Sequence, residues 1–379
     1  MRATEPRRKI AYFVPPSPVF AGIERVVHEI ATGLAEEFAD VWDVHVVFAT
    51  AYDDAMLETP AYTKHVLGVE RLRSLARPIR SCVASNRFDV LVCPQVEPAV
   101  TVWGATRGLG LPIFLAHLHG NPRIEERDGS RSTRAAFALF RRVVAPRIAG
   151  ILTVSPSLER YAAESLAPGV PVVFVPNPVR EFNAPERALS PDGTFRFVSV
   201  ARLDHQKGQD VLLRAVAQAR SRLPRFHLTL VGSGPEEDAL KRLARALGVE
   251  DVVTFTGYIT DPLPHLVDAD CFVLASRWEG FGVALVEALG VGLPLLSTDC
   301  DFGPADIITE PTLGSLVPTD DPAALADGLV GAVRRRDAPD DVARRKAAAA
   351  QYSRAAVSSH HAAVLERFYG DAFAPPAAG

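Results

Sequence analysis

The sequence has few cysteines and no long apolar run, and each absence excludes a class of protein. Four cysteines are scattered along the chain without a C-x-x-C pair: Cys82, Cys93, Cys271 and Cys300. This spacing favours buried reduced thiols over a disulfide scaffold or a redox motif. No apolar run approaches the ~20 residues that a membrane helix requires. The run Ile10–Val14, after the basic start Met1–Lys9, is too short for a secretory signal peptide, so we predict a cytoplasmic protein.

The sequence also lacks a basic segment interleaved with aromatic residues, so we predict no nucleic-acid partner. Its composition is that of an ordinary globular protein, because 48% of the residues are apolar and 23% are charged, with a net charge of -4. A chain of 379 residues is too long for one ordinary α/β core. The length therefore predicts two domains of similar size.

Strand-like and helical patterns alternate along both halves of the chain, which predicts parallel α/β sheets. The predicted strands of the first half are Lys9–Val14, His45–Ala49, Val90–Cys93, Ile113–His117, Gly150–Val154 and Val172–Val175. Those of the second half are Phe195–Val200, His227–Val231, Val252–Thr256, Cys271–Ala275 and Pro294–Ser297. A proline-rich segment, residues 176–191, predicts a linker between them. The predicted domains are residues 1–180 and 181–353, and the last helical pattern, residues 354–369, can pack back on the first domain.

The most informative segment runs from a buried strand through a glycine turn into a helix. The apolar run Cys271–Ser276 predicts the strand, Gly280-Phe281-Gly282 the turn, and Val283–Leu289 the helix. Bare backbone N–H groups in such a turn, with the positive end of the helix dipole, form a site suited to phosphate. Two glutamates, Glu279 and Glu287, frame the turn. We expect them to face polar parts of the molecule that carries the phosphate.

This E-x7-E spacing resembles the signature of family 4 of the retaining glycosyltransferases, which have the GT-B fold. The resemblance implies two Rossmann-like, doubly wound parallel-sheet domains that face a cleft, with the donor nucleotide in the C-terminal domain and the acceptor in the N-terminal domain. It also implies that Glu287 binds the ribose hydroxyls and that Glu279 binds the sugar hydroxyls. It adds the turn itself to the donor site: Gly280, Phe281, Gly282 and Val283.

A cationic motif follows the first strand of the second half. Arg202 and Lys207 lie five residues apart after Phe195–Val200. On a strand-exit loop, the planar fork of an arginine and the point charge of a lysine can clamp both phosphates of a nucleotide diphosphate. The alternative, two solvated cations at a helix start, is disfavoured by the helix dipole. The segment resembles the GRL…KG motif of the family, with Ala201 in place of its first glycine.

Two motifs of the first half resemble the family in the same way. Gly22 opens the first predicted helix after Ala21, where the family usually has two glycines, so its N–H is a candidate phosphate ligand. A lone glycine here also fits a simple tight turn. His119 follows the predicted strand Ile113–His117, and the carboxyl ends of parallel strands face the ligand crevice. It resembles the active-site histidine that approaches the donor sugar; His117 is its rival, and a structural role is the alternative for both.

Two turns of the second half complete the predicted donor site. Gly232 lies in a segment that resembles the GxGP turn of the family, and Gly257-Tyr258 corresponds to the loop that lines its base pocket. We expect both to shape the backbone more than to make decisive contacts. Residues 297–308 resemble the TDxxGPxEII motif, with Asp306 in place of the glutamate.

Two D-x-D triplets, Asp268-Ala-Asp270 and Asp299-Cys-Asp301, raise the question of a catalytic metal. Metal-dependent transferases of the other major fold use such a pair to hold a divalent cation on a diphosphate. Here Asp268 and Asp270 precede a strand, and the cations of Arg202 and Lys207 can neutralise the leaving group instead. We therefore predict no metal and no other cofactor.

Together the motifs predict a retaining, metal-independent glycosyltransferase. It would move a hexose or N-acetylhexosamine from a nucleotide diphosphate sugar, first of all a UDP-sugar, to a saccharide, lipid-linked or small-molecule acceptor. The chemistry would depend on Glu279, His119, Arg202 and Lys207. A GT-B sugar-nucleotide epimerase and a non-catalytic sugar-nucleotide-binding protein are the alternatives. A pyridoxal-phosphate phosphorylase would need a cofactor lysine and a far longer chain.

One segment bears on a membrane-linked acceptor. Between Arg131 and Arg147, the pattern places Phe137, Phe140 and Val144 on one helical face, with arginines nearby. Such a face suits peripheral contact with the anionic inner face of a membrane. The same pattern fits a helix that packs on the sheet with a solvated basic face, and we favour that interpretation.

Overall fold

The computed structural model of the protein describes residues 6–17, 20, 22–53, 55–180, 193–223 and 225–373. Its contacts divide the chain into two compact units. The first unit combines residues 1–178 with residues 354–379, and the second unit is residues 179–353. Ala21 and residues 181–191 of the predicted linker lie outside the described residues.

The first unit is built on a seven-stranded sheet in which every neighbouring pair of strands is parallel. Its strands are β1 (Arg8–Val14), β2 (Trp42–Phe48), β3 (Thr63–Val66), β4 (Val90–Pro94), β5 (Ile113–Leu118), β6 (Gly150–Thr153) and β7 (Val172–Phe174), in the spatial order β3-β2-β1-β4-β5-β6-β7. Its helices are α1 (Ile23–Glu37), α2 (Ala76–Asn86), α3 (Val96–Thr106), α4 (Pro122–Asp128), α5 (Arg131–Leu139) and α6 (Pro156–Tyr161).

The second unit repeats this plan with six parallel strands. Its strands are β8 (Phe195–Val200), β9 (Phe226–Val231), β10 (Val253–Phe255), β11 (Cys271–Leu274), β12 (Leu295–Thr298) and β13 (Gly314–Val317), in the order β10-β9-β8-β11-β12-β13. Its helices are α7 (Gln209–Ala219), α8 (Glu237–Ala246), α9 (Leu263–Val267), α10 (Val283–Gly290), α11 (Pro304–Ile307), α12 (Pro322–Arg334) and α13 (Asp341–Ala350). The prediction of two Rossmann-like parallel sheets is therefore confirmed.

The last helix, α14 (Arg354–Phe373), belongs to the first unit. Leu365 and Phe368 are buried in the same apolar core as β1 and β5. Phe368 packs directly on Gly150, where an added Cβ would lie 2.5 Å from the ring. The chain therefore crosses into the second unit and returns to complete the core of the first.

The apolar face of residues 131–147 packs inside the first unit. Helix α5 continues into a π-helical turn, Phe140–Val144. Phe137, Phe140 and Val144 are all 0% exposed, so the apolar face is occupied by the protein itself and is not free to bind a bilayer. Arg141 is held by an ion pair with Glu126. The described helices also include none that is both long and apolar enough to cross a membrane.

Candidate active site

The cationic loop after β8 is shaped by Asp204. Its carboxylate accepts the backbone N–H of Lys207 at 3.2 Å, which closes a 3-10 turn at His205–Lys207. The same carboxylate accepts from the Arg202 guanidinium, whose side chain is still 68% exposed. Arg202 is therefore paired at one nitrogen and open to solvent over most of its surface.

The turn lies directly against the end of β11 because the next residue is glycine. Gly208 has a φ of +63°, and an added Cβ would lie 2.1 Å from the carbonyl oxygen of Ala275. A side chain at this position would separate the two loops. The close approach brings the motif after β8 next to the motif after β11.

Lys207 and Glu279 meet at this junction. The Lys207 Nζ donates to Glu279 Oε1 at 2.6 Å, and the Ser276 hydroxyl donates to the same oxygen at 2.6 Å. Glu279 is only 6% exposed. A buried carboxylate that is fixed by a cation and a hydroxyl is held in one orientation, because losing either partner would leave part of its charge unpaired.

The glycine turn beside Glu279 ends at an uncapped helix. Gly282 has a φ of +99° and is the N-cap residue of α10, and it makes no side-chain cap. The first N–H groups of a helix have no acceptor within the helix itself, so a helix N-terminus is a suitable place for an anion. Phe281 is buried and packs against Tyr352, with ring centroids 5.2 Å apart, while Glu287 is half-buried one turn into the helix.

The two remaining turns of the predicted donor site, at Gly232 and Gly257, are joined by a backbone hydrogen bond. The Gly232 N–H donates to the Gly257 carbonyl at 3.0 Å, which ties the ends of β9 and β10 together. A Cβ on Gly232 would lie 2.1 Å from the Ala201 carbonyl oxygen. The Tyr258 side chain that follows is 68% exposed, so its ring is accessible to a ligand.

All of these groups follow the carboxyl ends of parallel strands of one sheet. Ligands of open α/β sheets bind at that edge. The second unit therefore places two cations, a fixed carboxylate and a helix N-terminus at one edge. This combination suits a phosphate that carries a polar group.

In the first unit, His119 directly follows β5. Its Nδ1 lies 3.2 Å from the Asn177 carboxamide oxygen. Because that oxygen can only accept, Nδ1 carries the proton. Burial lowers the pKa of His119 to about 4, against a smaller raising effect of the Asn177 contact. The imidazole is therefore neutral at physiological pH, and its buried Nε2 has no hydrogen-bond partner among the described residues.

His117, the rival of His119, points into the protein. It is 1% exposed, and burial holds its pKa well below the usual range for histidine. Its ring centroid lies 3.9 Å from that of His119. His117 therefore supports the His119 ring from the interior side.

The loop around His119 is also held by Gln95, a residue that the sequence did not single out. The Gln95 Oε1 accepts the backbone N–H groups of His119 at 3.0 Å and Gly120 at 3.4 Å. Its Nε2 donates to Glu125 Oε1 at 2.8 Å. Burial, with the nearby charge of Glu97, raises the pKa of Glu125 to about 7.

Gly22 lies at the start of α1, as predicted. It has a φ of +57° and no side chain of the described residues caps the helix that it begins. The residue is exposed. Since Ala21 lies outside the described residues, the local path of the predicted glycine motif is described only from Gly22 onward.

Two aspartates of the D-x-D triplets, Asp270 and Asp301, make hydrogen bonds within the second unit. Asp270 bonds through its side chain and its backbone, and Asp301 through its backbone carbonyl. The Asp270 Oδ2 accepts the backbone N–H of Arg196 at 2.8 Å and the Asp270 N–H donates to the Arg196 carbonyl at 2.7 Å. The Asp301 carbonyl accepts from the Glu279 N–H at 3.3 Å. Across the described ranges, no group of three or more His, Cys, Asp or Glu side chains is arranged to hold a metal ion.

The two parallel-sheet units have the GT-B fold of glycosyltransferases. Residues 181–349 match the model of the family "Glycosyl transferases group 1", and residues 21–178 match that of the "Glycosyl transferase 4-like domain". The chain is 32% identical to the GDP-mannose-dependent α-(1-6)-phosphatidylinositol monomannoside mannosyltransferase of Mycolicibacterium smegmatis, over 65% of this chain and 70% of that protein. The chain belongs to the group 1 glycosyltransferases.

Other similarities are more local or more distant. An uncharacterized glycosyltransferase of Methanocaldococcus jannaschii is 35% identical over 115 residues, which cover 30% of this chain and 28% of that protein. The crystal structure of Anabaena HepE with UDP and glucose aligns with a TM-score of 0.76 at 20% identity, over 95% of this chain and 100% of that one. At this identity the similarity to HepE shows the shared fold.

Proposed function

We propose that the protein is a retaining, metal-independent glycosyltransferase. It moves a hexose or N-acetylhexosamine from a nucleotide diphosphate sugar to a hydroxyl acceptor in polysaccharide, glycolipid or natural-product biosynthesis. The observation that carries the proposal is the Lys207–Glu279 pair next to the uncapped start of α10. A cation and the N–H groups at the start of a helix suit the diphosphate, and the buried carboxylate beside them suits sugar hydroxyls.

The charge that develops in the reaction matches these groups. Breaking the anomeric C–O bond builds positive charge on the sugar and negative charge on the departing phosphate. Lys207, Arg202 and the N–H groups of Gly282 and Val283 are donors directed at the departing phosphate, and donors that bind the developing charge stabilise the transition state more than the ground state. Once a phosphate oxygen binds Lys207, Glu279 is released to accept from the sugar hydroxyls.

The remaining roles extend from the family resemblance. Glu287 binds the ribose hydroxyls, and Gly232, Gly257 and Tyr258 line the path of the base. In the first unit, the resemblance assigns the Gly22 N–H to phosphate and His119 to the donor sugar. Retention follows front-face attack: the acceptor oxygen bonds to the anomeric carbon as the C–O bond to phosphate breaks. The acceptor proton passes to the departing phosphate.

We propose a UDP-sugar as the first donor to test, and GDP-mannose as the second. HepE, which shares the fold, was solved with UDP and glucose. The mycobacterial relative is named for GDP-mannose. A thermal-shift panel of UDP-, GDP- and ADP-sugars separates the two, because a ligand that binds only the folded state raises the melting temperature by mass action.

We propose a cytoplasmic location, with access to lipid-linked acceptors at the inner membrane face as one option. Because Phe137, Phe140 and Val144 are buried, such access would depend on exposed arginines such as Arg134 and Arg142. Flotation with anionic vesicles that is lost in Arg134→Glu/Arg142→Glu supports a lipid-linked acceptor. No flotation at low salt favours a soluble one.

The decisive experiment is mass spectrometry of the products formed from the stabilising donor. Transfer of the sugar to an added saccharide, lipid-linked or small-molecule acceptor, with release of nucleotide diphosphate, supports the proposal. Conversion of the donor into an isomeric sugar nucleotide without an acceptor identifies an epimerase. Tight binding without turnover across the acceptor panel identifies a binding protein.

A further inference from the structure

The residues around His119 form a second layer that the proposed roles do not use. Gln95 directly follows β4, which pairs with β5, and its N–H donates to the His117 carbonyl at 2.9 Å. Its backbone has a φ of +58°, a conformation that is costly for a residue with a side chain. This conformation sends the chain from β4 into α3 while the carboxamide contacts the neighbouring loop.

The carboxamide contacts two consecutive N–H groups of one loop. Accepting from both His119 and Gly120 fixes the direction of the peptide that carries the His119 side chain. The orientation of the carboxamide is in turn set by Glu125, since its carboxylate accepts from the NH2 end. The oxygen of Gln95 is thereby aimed at the loop.

Gly120 makes room for this arrangement. A Cβ at Gly120 would lie 2.4 Å from Glu125 Oε1 and 2.6 Å from Gln95 Nε2. The polar ends of both side chains occupy the space that any other residue would fill. The loop, the carboxamide and the carboxylate therefore fit together as a unit.

We propose that Gln95 and Glu125 are positioning residues that hold the His119–Gly120 loop in the orientation needed for sugar transfer. They act through His119 and do not touch the substrate. This inference rests on the proposed role of His119. It assigns a function to the half-buried carboxyl of Glu125, which lies on α4 and belongs to none of the recognised motifs.

The kinetic test compares Gln95→Ala with a matched control on the following helix. Gln95→Ala should lower kcat by roughly 10- to 100-fold, because small misplacements of a positioned group have effects of that size. The affinity for free nucleotide, which the second unit binds, should not change. Thr101→Ala removes a hydroxyl that donates to the Glu97 carbonyl within α3 and should leave kcat at the wild-type value. Equal kcat values in Gln95→Ala and the wild type would refute the proposal.

Dependence on His119 is tested in a double variant. In the His119→Ala background, Gln95→Ala should change kcat by less than about twofold, since residues that act through one group are not additive. Glu125→Gln keeps an acceptor oxygen and should rescue most of the loss seen in Glu125→Leu. Fully additive losses would show that Gln95 acts by another route and would overturn the inference.

A spectroscopic readout separates this inference from the proposed function. In protein labelled with ¹⁵N in the histidine rings, the His119 signals, assigned by their absence in His119→Gln, should show a proton on Nδ1. Gln95→Ala should shift or broaden them, and Thr101→Ala should not. If the wild type transfers no sugar, this measurement still decides the positioning role. Unchanged His119 signals in Gln95→Ala would exclude it.

Discussion

Lys207 donates to Glu279 at 2.6 Å, although the two residues are 72 positions apart and their predicted partners are different parts of one ligand. The pair joins the loop after β8 to the loop after β11. Phosphate and sugar are covalently adjacent in a nucleotide sugar, so groups that bind them must also be adjacent. Without ligand, the cation and the carboxylate neutralise each other.

The first prediction concerns the cations. Lys207→Ala and Arg202→Ala should each lower kcat/KM by about 10²- to 10³-fold, because each removes a donor to the developing phosphate charge, worth roughly 2.7–4 kcal/mol. Nucleotide release measured in a coupled assay gives the rates.

A matched control is available for Lys207. Lys241 makes an ion pair of the same 2.6 Å length with Glu237, but on the exposed surface of α8, where such pairs contribute little. Lys241→Ala should therefore be active and stable. Wild-type turnover in both Lys207→Ala and Arg202→Ala would remove the phosphate clamp from the mechanism.

The two glutamates should separate in their effects. Glu287→Ala should weaken binding of free nucleotide diphosphate, because the ribose is present in that ligand. Glu279→Ala should lower kcat and leave nucleotide affinity nearly unchanged, because its partner is the sugar. Isothermal titration with UDP and GDP measures the affinity.

Because Glu279→Ala leaves Lys207 without its carboxylate, the isosteric Glu279→Gln is the appropriate second variant. It keeps the size of the side chain and can still accept from Ser276. Equal losses of nucleotide affinity on substitution of Glu279 and Glu287 would contradict the division of roles.

Metal removal should have no effect on transfer. The leaving diphosphate is neutralised in the proposed mechanism by Arg202, Lys207 and the start of α10. Initial rates in excess EDTA, compared with rates in Mg²⁺ or Mn²⁺, test this. An enzyme that stops in EDTA and recovers with Mn²⁺ would require a metal on the diphosphate, and Asp299 and Asp301 would be the first residues to substitute.

The sequence predicts the central strands well because each contains apolar residues that are buried in its sheet. β8 matches its predicted bounds, and β1 and β4 differ from theirs by one residue. The edge strands β3 and β13 were not predicted, because their residues are largely exposed or half-buried. No apolar pattern marks such a strand; only pairing with a neighbour forms it.

In the candidate site, too, the sequence predicts residues that lie in local motifs and misses residues whose role depends on contacts made in the fold. Arg202, Lys207 and Glu279 lie in local motifs, and the fold brings Lys207 and Glu279 together. Gln95 and Asn177 carry no local signal, because their partners on the His119 loop lie 24 and 58 residues away. Asn177 lies between two prolines that were assigned to the linker. For residues 131–147, the sequence predicts an apolar helical face but not its partner. The periodicity is the same whether the helix packs on a sheet or on a bilayer.

The last prediction is a loss of stability in the first unit at acid pH. His119 has a folded pKa of about 4 and His361 one of about 3, both lowered first by burial, whereas an unfolded histidine titrates near 6.5. Between these values the unfolded chain binds more protons than the folded chain. The free energy of unfolding therefore decreases as the pH falls below about 6.5. At pH 5, His119 alone should contribute a loss of about 2 kcal/mol.

Hydrogen exchange of the β1 and β5 peptides at pH 7.5 and 5, corrected for intrinsic exchange rates, measures this loss where it occurs. His119→Gln can still donate a hydrogen bond but does not titrate, so it should reduce the pH dependence of protection in β5. His265→Gln, on α9 of the second unit, is the control and should leave that dependence unchanged. Equal protection of β5 at both pH values in the wild type would contradict the conclusion that folded His119 is buried and neutral. It would also contradict the assignment of its proton to Nδ1 beside Asn177.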